Sequence, residues 1–99
     1  MSPIPPPPKL RLDKWLFAAR FFKSRELASA LVADGHLRLN GVPCAKPAHG
    51  VAVGDVLTFV QANRVRVIRV LALAQRRGPA SAAQALYVDL DAGDAPKPA

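Results

Sequence analysis

The stretch Lys9-Leu10-Arg11-Leu12-Asp13-Lys14-Trp15-Leu16-Phe17-Ala18-Ala19-Arg20-Phe21-Phe22-Lys23-Ser24-Arg25 decides the reading of this chain. It carries six basic residues against one acid, together with the single tryptophan and three of the four phenylalanines. Leu12, Trp15, Leu16 and Ala19 recur at the i, i+3, i+4, i+7 spacing of one helical face. At about 100° per residue they fall within an arc of roughly 100°, and Arg11, Lys14 and Ala18 share the adjacent arc. The spacing predicts a first helix from Asp13 to Arg20, with Asp13 as its N-cap, one buried side and cations beside it. Trp15 reads as core. Phe17 points away from the apolar arc and is expected to be covered by the C-terminal segment, through Leu86 or Tyr87. Ser24 reads as the N-cap of a second helix, flanked by Lys23 and Arg25. A helix N-terminus has free N–H groups and partial positive charge, which suit a phosphate. The pattern is that of a nucleic-acid-binding surface, for RNA more than DNA.

Working outward, the second helix spans Arg25 to Asp34. Leu27, Ala28, Leu31 and Val32 form its buried stripe, Glu26 sits in its first turn, and Gly35 lies at C′. The two helices form a hairpin. Leu37 and Leu39 alternate with polar neighbours, and Asn40-Gly41 is a strong signal for a tight hairpin turn into Val42 to Cys44. Val51 and Val53 alternate, Gly54-Asp55 is a turn, and Val56 to Val60 is a strand. Ala62-Asn63 reads as a further turn. Arg64-Val65-Arg66-Val67 alternates with the arginines outward, as an ordinary solvated face. The phase slips at Ile68, which predicts a bulge or a strand buried on both sides, running on to Leu73. Ser81-Ala82-Ala83-Gln84 fits a capping box and predicts a short helix from Ala82 to Val88. Residues 1–8 are proline-rich and read as an extended, disordered arm, and residues 91–99 as a disordered tail. The fold class expected is α+β: an N-terminal helical hairpin on a small, mostly antiparallel sheet, with a short C-terminal helix. The core unit covers residues 9–60, and residues 61–90 add a strand and helix extension packed on it.

A length of 99 residues allows one small domain, and a net charge of +7 suits a polyanion. Cys44 is the only cysteine, so no intrachain disulfide is possible and no cysteine zinc site is expected. No apolar run reaches membrane-span length, and the N-terminus lacks the regions of a signal peptide. These features point to a cytoplasmic protein without cofactor or metal. No Walker loop, catalytic carboxylate pair or nucleophile constellation appears, so the chain is read as non-enzymatic. The RNA-binding set expected is Arg11, Lys14, Arg20, Lys23, Ser24, Arg25, Arg38, Asn40 and Lys46. Arginine contributes forked contacts to phosphate and lysine a point charge. Ser24 serves its helix first and Asn40 its turn first.

Arg11-Leu12-Asp13-Lys14, Arg20, Lys23-Ser24-Arg25, Ala28, Gly35, Leu37-x-Leu39-Asn40-Gly41, Lys46-Pro47 and Gly54-Asp55 occur in order at spacings that resemble the alpha-L RNA-binding domain family. That family is named after the fourth small-subunit ribosomal protein. Trp15-Leu16, Ala18-Ala19-Arg20-Phe21 and Gln75-Arg76-Arg77-Gly78-Pro79-Ala80 are similar to its ribosome-associated fifteen-kilodalton heat-shock subgroup. The resemblance implies binding to structured RNA, ribosomal RNA of the large subunit above all. It also implies a role on free large subunits that carry a nascent chain on tRNA. Members of the subgroup often have a longer basic C-terminal extension, whereas here the tail holds Asp91, Asp94 and Lys97. The partner expectations are therefore rRNA, the large subunit and tRNA, with no membrane, for a monomer. Two other classes compete: a DNA-binding protein that uses the hairpin, and an accessory module of RNA modification. A protein-interaction role through Phe17 is a third.

Overall fold

The computed structural model describes residues 8–61, 63–74 and 76–90. The proline arm, apart from Pro8, and the tail from residue 91 lie outside the described residues. In chain order the elements are β1 (Leu10–Arg11), α1 (Leu12–Ala18), α2 (Arg25–Ala33), β2 (Leu37–Leu39), β3 (Val42–Pro43), β4 (Gly50–Val51), β5 (Val56–Gln61), β6 (Arg64–Val70), α3 (Ala80–Gln84) and β7 (Tyr87–Asp89). Five strands form one antiparallel sheet in the order β3-β2-β5-β6-β7, and β1 pairs separately with β4. The α+β architecture follows the pattern read from the sequence.

The core forms where the predicted apolar stripe of α1 meets the sheet. Leu12, Trp15, Leu16 and Ala19 are all buried, as are Leu37, Leu57, Phe59, Ile68 and Val70 on one sheet face. Aromatic rings link the layers. Phe21 packs edge-on to Phe59 at 5.1 Å and against Tyr87 at 4.6 Å, and Trp15 meets Tyr87 at 6.5 Å. The Trp15 indole N–H donates to the Ala72 carbonyl at 2.9 Å, satisfying its polar edge inside the core. The segment after β6 is thereby tied to the first helix.

Several expectations are corrected. Helix α1 begins at Leu12, with Arg11 rather than Asp13 at the N-cap position. The amides of Leu12 and Asp13 donate instead to the carbonyls of His49 and Pro47, at 2.9 and 3.2 Å. These long-range caps satisfy the first two amides of α1 in place of a capping side chain. In α2 the stripe is narrower than predicted: Ala28 and Val32 are buried, but Leu27 is 52% exposed. Strand β6 has neither a bulge nor two buried faces. Its register with β5 runs unbroken from Val56↔Arg69 to Gln61↔Arg64, and Arg69 is exposed. The inner face of β5, Leu57 and Phe59, lies opposite Ile68 and Arg66, so Val65 faces solvent and Arg66 turns inward. There Arg66 bonds Asp89 at 2.7 Å and Gln61 at 2.7 Å and lies 5.3 Å from the Phe21 ring. The strand stops at Val70. Val53, expected inside with Val51, is 58% exposed.

Helix α3 spans Ala80–Gln84 with Pro79 at its N-cap and no side-chain cap. The capping-box template misplaced it because Leu86 and Tyr87 are needed elsewhere. Leu86 is buried in the core, and Tyr87 starts β7, which pairs with β6 through Val70↔Tyr87. Neither residue covers Phe17. The Arg77 guanidinium does, 4.5 Å from the ring centre.

The Ser24 cap and the Asn40-Gly41 turn behave as read, whereas Ala62 of the turn expected at Ala62-Asn63 lies outside the described residues. Ser24 Oγ accepts from the Leu27 amide at 3.1 Å. Asn40 and Gly41 both take positive φ, 53° and 83°, as a two-residue turn between antiparallel strands requires. Asn40 also spends both ends of its amide internally, donating to Asp55 at 3.2 Å and accepting from the Val56 amide at 2.8 Å.

Candidate nucleic-acid interface

The junction of the two helices gathers most of the predicted cations. Asp13, with only 3% of its side chain exposed, lies at its centre. Arg11 grips it in a fork, Nε to Oδ1 at 3.1 Å and Nη2 to Oδ2 at 3.0 Å. Arg25, from the first turn of α2, places Nε 3.6 Å from Oδ2. The two arginine side chains remain 49% and 46% exposed. One buried carboxylate thus holds two guanidinium groups from different elements side by side while both still face solvent. That role for Asp13 was invisible in the sequence, where an acid near a helix start reads as a cap.

The electrostatics follow from the geometry. Burial alone pushes the Asp13 carboxyl up. The Arg11 hydrogen bonds and charge, the charge of Arg25 and the Lys14 amide outweigh it and hold the group below the usual carboxylate range. The same pairing raises the Arg11 guanidinium. A carboxyl with a depressed folded pKa contributes stability above its unfolded value of about 3.9 and loses it as pH falls through the folded value. Asp13→Asn is therefore expected to cost about 1–2 kcal/mol near neutral pH, since both partners are half exposed and water screens them. The difference from wild type should shrink towards pH 3. Thermal unfolding across that pH range checks it, and a gap that stays constant with pH contradicts the assignment.

Around this anchor the other predicted residues take distinct places. Lys14 is half-buried on α1, and Lys23 is exposed next to the Ser24 cap. The first-turn amides of Arg25 and Glu26 precede any intrahelical acceptor. Arg20, in the left-handed region at φ 65°, turns the chain out of α1 and donates through Nε to the Gly78 carbonyl at 2.7 Å. Lys46 is exposed on the loop whose Pro47 and His49 carbonyls cap α1. Arg38 is exposed opposite Pro43 and Thr58, on the sheet face turned away from the helices. The structure therefore brings Arg11, Lys14, Lys23, Ser24 and Arg25 together, with Arg20 and Lys46 flanking, and sets Arg38 and Asn40 apart.

Arg77 is a residue the sequence reading did not single out for this region. Besides covering Phe17, it donates to the Phe22 and Lys23 carbonyls, both at 3.3 Å. The backbone that presents Lys23 and Ser24 is thus held from the C-terminal segment. The Gln75-Arg76-Arg77-Gly78-Pro79 run was the available signal, but its contact across more than 50 residues was not.

A helical hairpin on an antiparallel sheet, with arginines and lysines gathered at the helix junction, defines the class of S4-domain, alpha-L proteins. The family model for the S4 domain matches residues 10–57. Heat shock protein 15 of Escherichia coli is 43% identical over 83% of this chain and 61% of its own length. The solved trimeric structure of Vibrio cholerae heat shock protein 15 matches with a TM-score of 0.78 at 39% identity, over 83% of this chain and 82% of that one. The small ribosomal subunit protein uS4 of Xanthobacter autotrophicus is 33% identical over 84% of this chain and 38% of its own. The chain belongs to the heat shock protein 15 family of S4-domain proteins. It spans about three fifths of the length of the Escherichia coli relative, 61%.

Proposed function

We propose that this chain binds structured RNA, without catalysis, through the junction of α1 and α2. The observation that carries the reading is the Asp13-anchored pair of Arg11 and Arg25 beside the capped N-terminus of α2. A rigid cationic ledge recognises shape and phosphate spacing, which is how structured RNA is read. Lys14, Lys23 and Ser24 complete the ledge, Arg20 and Lys46 flank it, Arg38 extends contact only for an RNA that wraps the sheet edge, and Asn40 serves its turn. The RNA proposed is ribosomal RNA of the large subunit, on free subunits that carry nascent chain-tRNA in rescue or recycling, the role that the sequence resemblance implies. That work is cytoplasmic. Among the described residues no helix is long and apolar enough to cross a membrane.

Sedimentation with separated ribosomal subunits tests the ribosomal reading: comigration with the large subunit supports it, and free protein at the top of the gradient counts against it. Sedimentation of the protein alone distinguishes the expected monomer from the trimeric arrangement of the Vibrio relative. Titration with an rRNA fragment tests the binding mode. The log of affinity should fall linearly with log salt, by about 0.7–0.9 per phosphate neutralised, and duplex DNA should compete poorly. A slope near zero excludes a phosphate-led interface.

A further inference from the structure

We propose that the groove between the β2–β3 hairpin and the loop of residues 44–49 takes a single unpaired nucleobase of the bound RNA, an assignment that rests on the RNA reading above. The groove has a volume of about 360 Å³, near the low end of small-ligand pockets at about 300–1,000 Å³. Leu39 and Val42 stand directly opposite each other across the hairpin and share one face. Leu39 is half-buried against the core, while Val42 is 64% exposed, on the edge strand of the sheet. Pro43 and the half-buried Cys44 continue the apolar lining, and the exposed Lys46 and His49 stand among the residues that border it.

The loop is preorganised. The Lys46 carbonyl accepts the His49 amide at 3.0 Å and lies 4.0 Å from Cys44 Sγ, and the Cys44 amide donates to Leu37 at 3.0 Å. The same loop caps α1 through His49 and Pro47, and the next residue, Gly50, pairs with Arg11. A Cβ on Gly50 would come within 3.0 Å of the Lys9 side chain, so the two segments lie in close contact. The groove therefore sits on the loop that is bonded to the cationic ledge. An apolar slot with a lysine and an imidazole at its border fits a planar ring whose flanking phosphate needs a cation. A purely apolar protein side chain gives those two residues nothing to pair with. A base stacked within a helix cannot enter, so the groove selects a bulged or looped nucleotide.

The test compares a fully paired RNA stem with the same stem carrying one unpaired adenosine. Fluorescence anisotropy should show the bulged stem binding at least about fivefold tighter, the low end of what one stacked base supplies. Cys44, the chain's single cysteine, reports occupancy directly. At equal saturation the bulged stem should slow its alkylation by maleimide, and the paired stem should not. Ala45→Phe, at an exposed position of the loop, should place a ring over the groove and abolish the preference while binding of the paired stem is retained. Equal affinity for the two stems, or equal Cys44 protection by both, overturns the base groove and leaves the ledge reading standing. Binding of neither RNA overturns both.

Discussion

Trp15→Ala is expected to destabilise the protein by about 3–5 kcal/mol, the range for truncating a fully buried large aromatic side chain. Trp15 has no exposed surface and touches three systems at once. It contributes to the apolar stripe of α1, it meets the Phe21 and Tyr87 rings, and its indole N–H holds the Ala72 carbonyl. A domain of this size has a total stability of about 5–15 kcal/mol, so the loss is a large share of it. At roughly 4–8 °C per kcal/mol the melting temperature should drop by about 12–40 °C. Trp15→Phe separates the two contributions. It keeps most of the apolar area but leaves the Ala72 carbonyl without its partner, at a cost of about 1–2 kcal/mol. Thermal and urea unfolding of both variants measure these values. An alanine variant that melts within a few degrees of wild type would show that α1 and the segment after β6 are not packed as described.

What the sequence disclosed and what it hid divide along sequence separation. The Ser24 cap, the Gly35 stop and the Asn40-Gly41 turn are set by interactions within a few residues, and each was read correctly from its local chemistry. The same local templates failed where a distant partner takes over. Asp13 looked like a cap, but the His49 and Pro47 carbonyls had already satisfied the first amides of α1, which released its carboxylate to hold Arg11 and Arg25. Ser81 and Gln84 looked like a capping box, but pairing of Tyr87 with Val70 ends the helix early. In β6 the alternation of Arg64 to Val67 placed the valines inside. The partner strand decides that question, and Phe59 opposite Arg66 reverses it. The cations of the ledge were legible because they cluster within one short stretch. The devices that hold them, Asp13 beneath and Arg77 behind, depend on the fold.

The ledge predicts that Lys23→Ala and Arg25→Ala weaken RNA binding more than Arg69→Ala. Each substitution removes one positive charge, so net charge alone predicts equal losses. Arg69 is exposed on the outer face of β6, with Val56 opposite it on β5 and Val88 on β7, away from the helices. It offers a screened, mobile charge worth a few tenths of a kcal/mol. Lys23 and Arg25 flank the capped start of α2. Arg77 holds the Phe22 and Lys23 carbonyls there, and Asp13 holds Arg25. A charged contact from such a fixed position is worth about 1–3 kcal/mol, roughly a fivefold to hundredfold loss of affinity when removed. Arg66 is not a suitable control, because its ion pair with Asp89 leaves only 17% of the side chain exposed and its loss would report on folding. Stability is separable from binding at the ledge. Lys23 is exposed, so Lys23→Ala should melt close to wild type, while Arg25→Ala gives up the longer of the two Asp13 ion pairs and should lose only part of what Asp13→Asn loses, the Arg11 fork being kept. Affinity for one rRNA fragment at moderate salt, measured beside the melting temperature of each variant, decides the matter. Equal losses at Lys23, Arg25 and Arg69 would mean diffuse attraction to a basic surface, and the junction of α1 and α2 would then hold no site.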